Sequence, residues 1–241
     1  VVNAQGFSAV QESFVNAHYA KKALPRIFDG ILLNLRVLHI AEFFVLIFGL
    51  AIAIARTTTS PVLYPLRLVA TIYTDIFRGA PLLLVLLLVG LGIPGLQISF
   101  IPNSAVFLGT IALVLTYSAY VAEVIRAGIE GVNPTQRQAA RALGLSQTQT
   151  LRHVVLPQAI RNVTPPLLND LVSLQKDSGL ISVLGAVDAI RAAGIETAQS
   201  FNFTPYVVAG GLFIILTIPL TRYTDWLIRR QDRAQKAQGL F

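Results

Sequence analysis

The sequence predicts an all-α, polytopic membrane protein, a bundle of about five transmembrane helices. Hydrophobic residues make up 54% of the 241 residues and charged residues only 13%, which is about half the charged share of a soluble domain. The apolar residues gather in five runs, each long enough to cross a hydrocarbon core of about 30 Å as a helix. Polar segments rich in proline, glycine or basic residues separate these runs.

Polar residues interrupt two of the five predicted spans. The second span contains the sequence Arg78–Pro81, and the fourth carries several polar side chains. In chain order, we predict spans over about Ile27–Ala55, Val62–Leu91, Ser104–Arg126, Ile160–Leu184 and Pro205–Ile228. Residues 27–231 would form the transmembrane domain and 232–241 a cytoplasmic tail. Residues 1–26 would form an N-terminal surface or periplasmic segment, either an amphipathic helix or a weakly ordered tail.

The net charge of +7 is better explained by a membrane than by nucleic acid. The basic residues lie at the edges of apolar runs and in polar segments, as the positive-inside bias predicts. Arg56, Arg137 and the basic tail would share the cytoplasmic side, with the N-terminus out and the C-terminus in. Lys21, Lys22 and Arg26 would then lie outside, against that bias. The absence of cysteine and the wide spacing of the three histidines argue against a metal site.

The most polar stretch in the middle of the chain is Glu130–Pro157. It must lie in water, because lipid offers no hydrogen-bond partner to its polar side chains or to the unpaired backbone groups at its helix ends. Asn133 and Pro134 are typical of a helix start, and Gln136 is placed to bond back to the cap. The helix would run to Leu143 and end at a left-handed Gly144.

A second short helix is predicted in the same segment. Ser146 would cap it, with Gln149 three residues later, and Pro157 would end it. The first helix carries small residues, including Ala139 and Ala140, that would let another surface approach closely. On the residues alone, an ordinary helical loop explains the segment equally well.

Several motifs in this segment and elsewhere resemble one protein family. Gln138-Ala139-Ala140, Gly144 and Val154-Val155-Leu156-Pro157 resemble the "EAA" signature of membrane subunits of ATP-binding cassette importers, with Gln138 in place of the usual glutamate. Further motifs resemble the polar amino acid permeases of that superfamily: Phe77–Leu82, Ser118–Tyr120, Glu123, Arg126, Gly128, Ala142–Gly144 and Lys176–Leu180.

The resemblance implies a MetI-like permease fold and a multi-pass permease subunit of a polar amino acid importer in the bacterial inner membrane. It implies two ATP-binding cassette ATPase subunits, a second permease subunit, identical or different, and a periplasmic or lipid-anchored amino-acid-binding protein. The sequence has no GxxxxGK[ST] phosphate loop, so the ATPase subunits would bind ATP and Mg²⁺. The coupling helix would comprise Gln138, Ala139, Ala140, Arg141, Leu143, Gly144 and Leu145.

Polar residues inside the spans are candidate substrate contacts, because placing them in lipid is costly. Asp75 with Arg78, and Glu123 with Arg126, are spaced to pair within one helix. The fourth span has a polar row that we expect to face inward, formed by Pro166, Asn169, Asp170, Ser173, Lys176 and Asp177. Asn169 in this row lies about 18 Å along the helix from Pro157, near mid-bilayer.

The predicted breaks on either side of the polar row, at Pro165-Pro166 and at Gly179, would free backbone groups to bind a solute. The full set of predicted substrate contacts is Arg78, Gly79, Pro81, Asn169, Asp170, Ser173 and Lys176.

We expect the carboxylate of an amino acid to meet the Arg78–Pro81 break and its ammonium group to meet Asp170 or Asn169. Alternatively, these groups line a gate or satisfy one another. The row contains both Asp170 and Lys176, so it is compatible with cationic, acidic and neutral polar substrates. A self-powered secondary transporter or channel for a small zwitterionic solute is the alternative function. No catalytic pattern supports an enzyme.

Overall fold

The computed structural model describes residues 4–58 and 60–237, and every regular element in them is helical. This confirms the all-α prediction. Short 3₁₀ or π-helical turns lie at Pro61–Leu63, Leu88–Gly92, Leu151–Val155 and Ser178–Leu184. The α-helices of the described residues are α1 Ala4–Phe14, α2 Ala17–Thr57, α3 Tyr64–Gly79, α4 Leu82–Leu87, α5 Ile93–Gly95, α6 Ala105–Glu130, α7 Pro134–Ala142, α8 Gln147–Thr150, α9 Leu156–Asp177, α10 Ala189–Ser200 and α11 Thr204–Ala237.

Three of these helices, α2, α6 and α11, contain uninterrupted stretches that are long and apolar enough to cross a membrane. Two bent pairs add further candidates, so the described residues hold up to five spans if each pair counts once. One pair bends by 106° between Gly79 and Leu82, where the sequence predicted a break. Ala80 there adopts an extended conformation, and the proline that follows it disfavours a helical conformation at that position.

The fourth predicted span differs from expectation at one of its two breaks. Pro165 and Pro166 lie inside the continuous helix α9, because each proline removes only a local hydrogen bond and the turns on both sides hold the backbone. The helix instead ends at Asp177, where the 3₁₀ turn begins, and Gly185 then takes a left-handed φ of 91°. The break near Gly179 is therefore confirmed and the one at Pro165-Pro166 is wrong.

Contacts divide the chain into two units. The first contains the chain up to Ala41 with Leu82–Leu113 and Leu174–Leu220, and the second contains Glu42–Pro81, Val114–Ser173 and the chain from Thr221. Small side chains dominate one buried cluster of the first unit, which lets its helices approach closely. That cluster comprises Ala23, Ile27, Ile31, Ala189, Ala192, Ala193 and Ala209.

Gly30 marks the closest approach of α2 to α10. A Cβ atom at this position would overlap the backbone of Ala189, whereas a Cβ at Gly210 of α11 would meet no atom within 4 Å. We expect Gly30→Ala to destabilise the protein by about 1–3 kcal/mol through overpacking, and Gly210→Ala to be neutral or slightly stabilising. Thermal unfolding of the detergent-solubilised protein measures both, and equal melting temperatures would contradict the close packing.

The N-terminal segment is helical and is held to the turn before α11. The backbone N–H of Phe203 donates to the Ser13 carbonyl at 2.9 Å, and the rings of Phe14 and Phe203 stack at 5.3 Å between centroids. A helix, rather than a weakly ordered tail, is therefore present over Ala4–Phe14. Arg26, which disagreed with the positive-inside pattern, pairs with Glu196 of α10 at 3.2 Å.

The C-terminal helix extends past the predicted domain boundary. Helix α11 continues without a break past residue 231 to Ala237, and the cytoplasmic position of the last residues stays a prediction. Residues 238–241 lie outside the described part of the chain.

Candidate functional site: the polar hairpin and the intramembrane charges

The polar segment begins with the predicted cap. The Asn133 side chain accepts a hydrogen bond from the Thr135 backbone N–H at 2.9 Å, and α7 starts at Pro134. Gly144 has a φ of 86°, which confirms the left-handed helix end. Gln136 does not bond back to the cap as predicted, because its amide oxygen accepts a hydrogen bond from Gln158 of α9.

The second helix of the segment has the predicted capping box. The Ser146 backbone N–H donates to the Gln149 side chain at 2.8 Å, and the Gln149 N–H donates to the Ser146 hydroxyl at 3.2 Å. Pro157 does not end this helix, contrary to prediction. The wider π-helical turn over Leu151–Val155 connects α8 to α9, so Pro157 falls in the first turn of α9, where its missing N–H costs little.

The inner side of the polar segment packs against α6 and α9. Val132, Val155 and Ala159 form a buried cluster, and Arg137 donates to the Ile129 carbonyl at 2.6 Å. Ala140 is only 6% exposed. The short helices are therefore held to the C-terminal end of α6 and the N-terminal end of α9.

Five of the seven predicted coupling residues are exposed on α7 or in the turn that follows it. Leu143 is 84% exposed, and Leu145 is half-buried. Ala140 is buried, and its role in coupling stays a prediction. We call the five exposed residues the coupling surface: Gln138, Ala139, Arg141, Leu143 and Gly144.

A carboxylate in the second unit lies among three guanidinium groups. Glu123 of α6 pairs with Arg56 and with Arg126, each at 2.6 Å, and lies 3.6 Å from Arg78. Arg126 also pairs with Glu130. The predicted pair between Glu123 and Arg126 is confirmed.

The predicted pair between Asp75 and Arg78 is wrong, because Arg78 turns toward Glu123 instead. Its side chain is still 41% exposed, so part of its charge is open to another anion. The neighbouring break offers fewer donors than expected. Pro81 has no N–H, and the Ala80 N–H already donates to the Ile76 carbonyl at 3.0 Å. A Cβ at Gly79 would meet no atom within 4 Å, so space is open beside it.

In the polar row of α9, Asn169 and Lys176 are exposed, and Asp170 and Ser173 are half-buried. Leu174 and Gln175 of the same helix are buried, and the inward orientation of the row stays a prediction. Among the described residues, no ion pair or hydrogen bond connects Asn169, Asp170 or Ser173 with the Arg78–Pro81 break. The buried Asp170 Oδ2 atom has no hydrogen-bond partner in the described structure.

Glu42 of α2 is a candidate site residue that the sequence interpretation missed. It lies within electrostatic reach of Asp170, so two acidic side chains from different helices approach each other. Glu42 is a single carboxylate within the most apolar span, a pattern that is typical of a functional residue. The long hydrophobic run around it made this residue easy to overlook.

A buried polar network in the first unit was missed as well. The Asn34 amide donates to the Ser178 carbonyl at 3.0 Å and to the Asp188 carboxylate at 3.1 Å, and it accepts from the Ala189 N–H at 3.2 Å. Asp188 also caps α10 through the Arg191 N–H at 2.9 Å. This network fixes the turn between the 3₁₀ segment and α10. In the described part of the chain, no group of three His, Cys, Asp or Glu residues is placed to hold a metal.

Several apolar spans, a second span broken by 106° and a capped hairpin with an exposed outer face define a multi-pass membrane permease. The chain belongs to the family of binding-protein-dependent transport system inner membrane components, whose family model matches residues 47–233.

Curated relatives cover most of the chain. It is 33% identical over 199 residues to the arginine transport system permease protein ArtQ of Bacillus subtilis, covering 82% of this chain and 89% of that one. It is 39% identical over 204 residues to the putative glutamine transport system permease protein GlnP of Rickettsia conorii, covering 83% and 91%.

Solved structures agree with the fold. A chain of a crystal structure described as an amino acid ABC transporter with histidines superposes with a TM-score of 0.82 at 34% identity, covering 90% of this chain and 99% of that one. The inward-facing MetNI methionine transporter superposes with a TM-score of 0.68 at 18% identity, covering 86% and 97%. The MetI-like fold expected from the sequence is thereby confirmed.

Proposed function

We propose that this chain is the permease subunit of an ATP-driven importer of polar amino acids in a bacterial inner membrane. Its partners would be two ATP-binding cassette ATPases that bind ATP and Mg²⁺, a second permease subunit and an amino-acid-binding protein. Family membership supports this assembly, and the names of the arginine and glutamine permease relatives support the substrate class.

The coupling surface is the observation that carries the proposal. The Leu143 side chain at the tip of the polar segment is 84% exposed, and in a loop that stays in water it would make no apolar contact. At a protein interface, the same side chain would be buried against the partner. Gly144 adds an open position, because a Cβ there would meet no atom within 4 Å. An ATPase subunit that seats on this surface covers Leu143 and approaches the backbone of Gly144 closely.

The contacts between the polar segment, a hairpin of α7 and α8, and helix α9 would transmit a movement of this hairpin to the membrane-spanning part of the chain. Gln136 of α7 bonds to Gln158 of α9, and Val155 and Ala159 pack against Val132. Because α9 continues from this hairpin through the polar row, a displacement of the coupling surface moves α9 with it. ATP-driven closure of the ATPases would thereby change access to that row.

The proposal is tested by uptake into proteoliposomes that contain the purified permease with or without its ATPase subunits. Labelled glutamine and arginine serve as probes, with the binding protein added outside. We expect uptake only when the ATPase subunits are present and ATP is enclosed in the vesicle lumen, on the side opposite the added binding protein. Uptake by the permease alone, without ATP, would support the self-powered transporter instead.

Within this function, the ammonium group of the substrate would meet the acidic pair formed by Asp170 and Glu42. Two carboxylates in electrostatic reach of each other favour a cation placed between or beside them. The neighbouring Asn169, Ser173 and Lys176 supply polar groups on the same helix. The substrate carboxylate would take the open part of the Arg78 guanidinium, beside the space at Gly79 and Pro81.

We expect Asp170→Asn and Asn169→Ala to raise the KM for amino acid uptake by about tenfold, since each removes a charge-assisted or polar contact worth about 1.5 kcal/mol. Thr164→Ala on the same helix is the matched control, because the Thr164 hydroxyl donates back to the Ile160 carbonyl at 2.7 Å. Concentration-dependent uptake gives the three KM values. Unchanged KM in both site variants would remove the polar row from the binding site.

A further inference from the structure

Arg36 is a cation within an apolar helix that the proposed transport function does not use. It lies in α2 on an exposed face, and among the described residues it makes no ion pair or hydrogen bond. Ile27 and Ile31 on the same helix belong to the buried core with α10 and α11. Arg36 stands about 140° around the helix from Ile31, so it points away from that core.

The position of Arg36 along α2 matches a membrane boundary. It precedes Arg56 by twenty residues in one continuous helix, which at about 1.5 Å per residue gives an axial separation of about 30 Å. This equals the thickness of the hydrocarbon core. If Arg56, which pairs with Glu123, marks one boundary of the hydrocarbon core, the other boundary would lie near Arg36, whose long, flexible side chain would reach the headgroups.

The surroundings of Arg36 form an open groove of about 430 Å³ lined by Leu32, Leu35, Arg36, His39 and Ile40. His39 donates from Nδ1 to the Leu35 carbonyl at 2.6 Å, since a carbonyl can only accept. That bond leaves Nε2 available for a ligand. Leu32 and Ile40 expose apolar surface on either side of the cation.

We propose that this groove binds an anionic phospholipid, with its phosphate on Arg36. The planar guanidinium forms paired hydrogen bonds to phosphate oxygens, His39 Nε2 contacts the headgroup, and the acyl chains lie along Ile40, which is exposed. The combination of one unpaired cation, flanking apolar side chains and a boundary depth fits a lipid better than a soluble anion. The site is independent of which solute the permease carries.

The experiment titrates phosphatidylglycerol onto the delipidated, assembled transporter and counts bound lipid by native mass spectrometry. We expect wild type to retain phosphatidylglycerol and Arg36→Gln to bind it about tenfold more weakly or worse, as loss of a charge-assisted contact predicts. Arg233→Gln is the matched control, because it removes one exposed charge from the end of α11, and it should bind like wild type. Equal binding by Arg36→Gln and wild type overturns the proposal.

Further experiments distinguish the lipid from a soluble anion and from a second permease copy in the groove. Glycerol phosphate carries the headgroup chemistry without acyl chains, and competition by it at the same concentration as the lipid would identify a soluble-anion site instead. Dissociation of the permease pair in Arg36→Gln would show that the groove faces a second permease copy, which also overturns the lipid assignment. If the variant does not fold, binding of phosphatidylglycerol and phosphatidylcholine to the wild-type protein is compared instead. Equal retention of the two lipids would contradict a site for an anionic lipid.

Discussion

Replacing Leu143 by aspartate is expected to abolish ATP-driven uptake while the permease remains folded and inserted. The side chain is 84% exposed, so a carboxylate there stays hydrated in the free subunit. Seating an ATPase on the coupling surface would bury that charge without a partner, at a cost of several kcal/mol. We therefore expect uptake to fall by about 100-fold or more, measured in proteoliposomes with an excess of ATP.

Two companion variants identify the cause of that loss. Leu143→Ala removes apolar area without adding charge and should reduce uptake less. Phe100→Asp places the same charge on a residue that is 83% exposed in the loop before α6, and it should leave ATPase association on size-exclusion chromatography unchanged. Full uptake by Leu143→Asp would place the ATPase contact elsewhere on the chain.

Glu123→Gln is expected to have the largest effect on stability. The change leaves Arg56, Arg78 and Arg126 close together without the carboxylate that joins them. Breaking a largely buried ion pair by removing one partner costs about 3 kcal/mol or more, and Glu123 retains 19% exposure, which places the effect at the lower end. A drop in the melting temperature of the solubilised protein measures it.

The same charge cluster supplies a control variant, at Glu130, and a second-site variant, at Arg56, that should restore part of the stability. Among the described residues, Glu130 pairs only with Arg126, and its side chain is 55% exposed, so Glu130→Gln should cost less than about 1 kcal/mol. Adding Arg56→Gln to Glu123→Gln relieves part of the repulsion and should recover part of the stability, which a double-mutant cycle quantifies. Equal melting temperatures for Glu123→Gln and Glu130→Gln would show that the charge cluster does not stabilise the fold.

Local signals in the sequence predicted the features that depend on a few neighbouring residues. Asn133 and Ser146 cap their helices, and Gly144 takes a left-handed conformation, because caps and turns are decided within four residues of the chain. The break before Leu82 was equally visible, since a proline restricts the conformation of the residue before it.

Tertiary context decided the features that the sequence did not reveal. Arg78 had a carboxylate one turn away at Asp75, yet the Glu123 side chain of another helix attracts it. Ala140 and Ala139 are chemically identical, and only packing against α6 and α9 decides that Ala140 is buried. Pro157 resembled a helix end because the π-helical turn that accommodates it has no local signature.

The polar residues of α2 show a different limit. Asn34, Arg36 and Glu42 stand alone in a long apolar run, where hydropathy averages conceal them. The partners of Asn34, which are Ser178 and Asp188, are far away in the sequence, and so is Asp170, with which Glu42 interacts electrostatically. Only the fold shows which of the three is buried, which is exposed and which faces another charge.

Protection of a single cysteine at the tip of the hairpin tests the central claim most directly. The chain contains no cysteine, so Leu143→Cys creates a unique thiol for maleimide labelling, and Phe100→Cys provides an equally exposed control. We predict that bound ATPase subunits slow labelling at position 143 by at least about tenfold, as expected for a residue buried at an interface, and leave position 100 unchanged. Equal labelling of Leu143→Cys with and without the ATPase subunits would contradict the assignment of this hairpin as the coupling site.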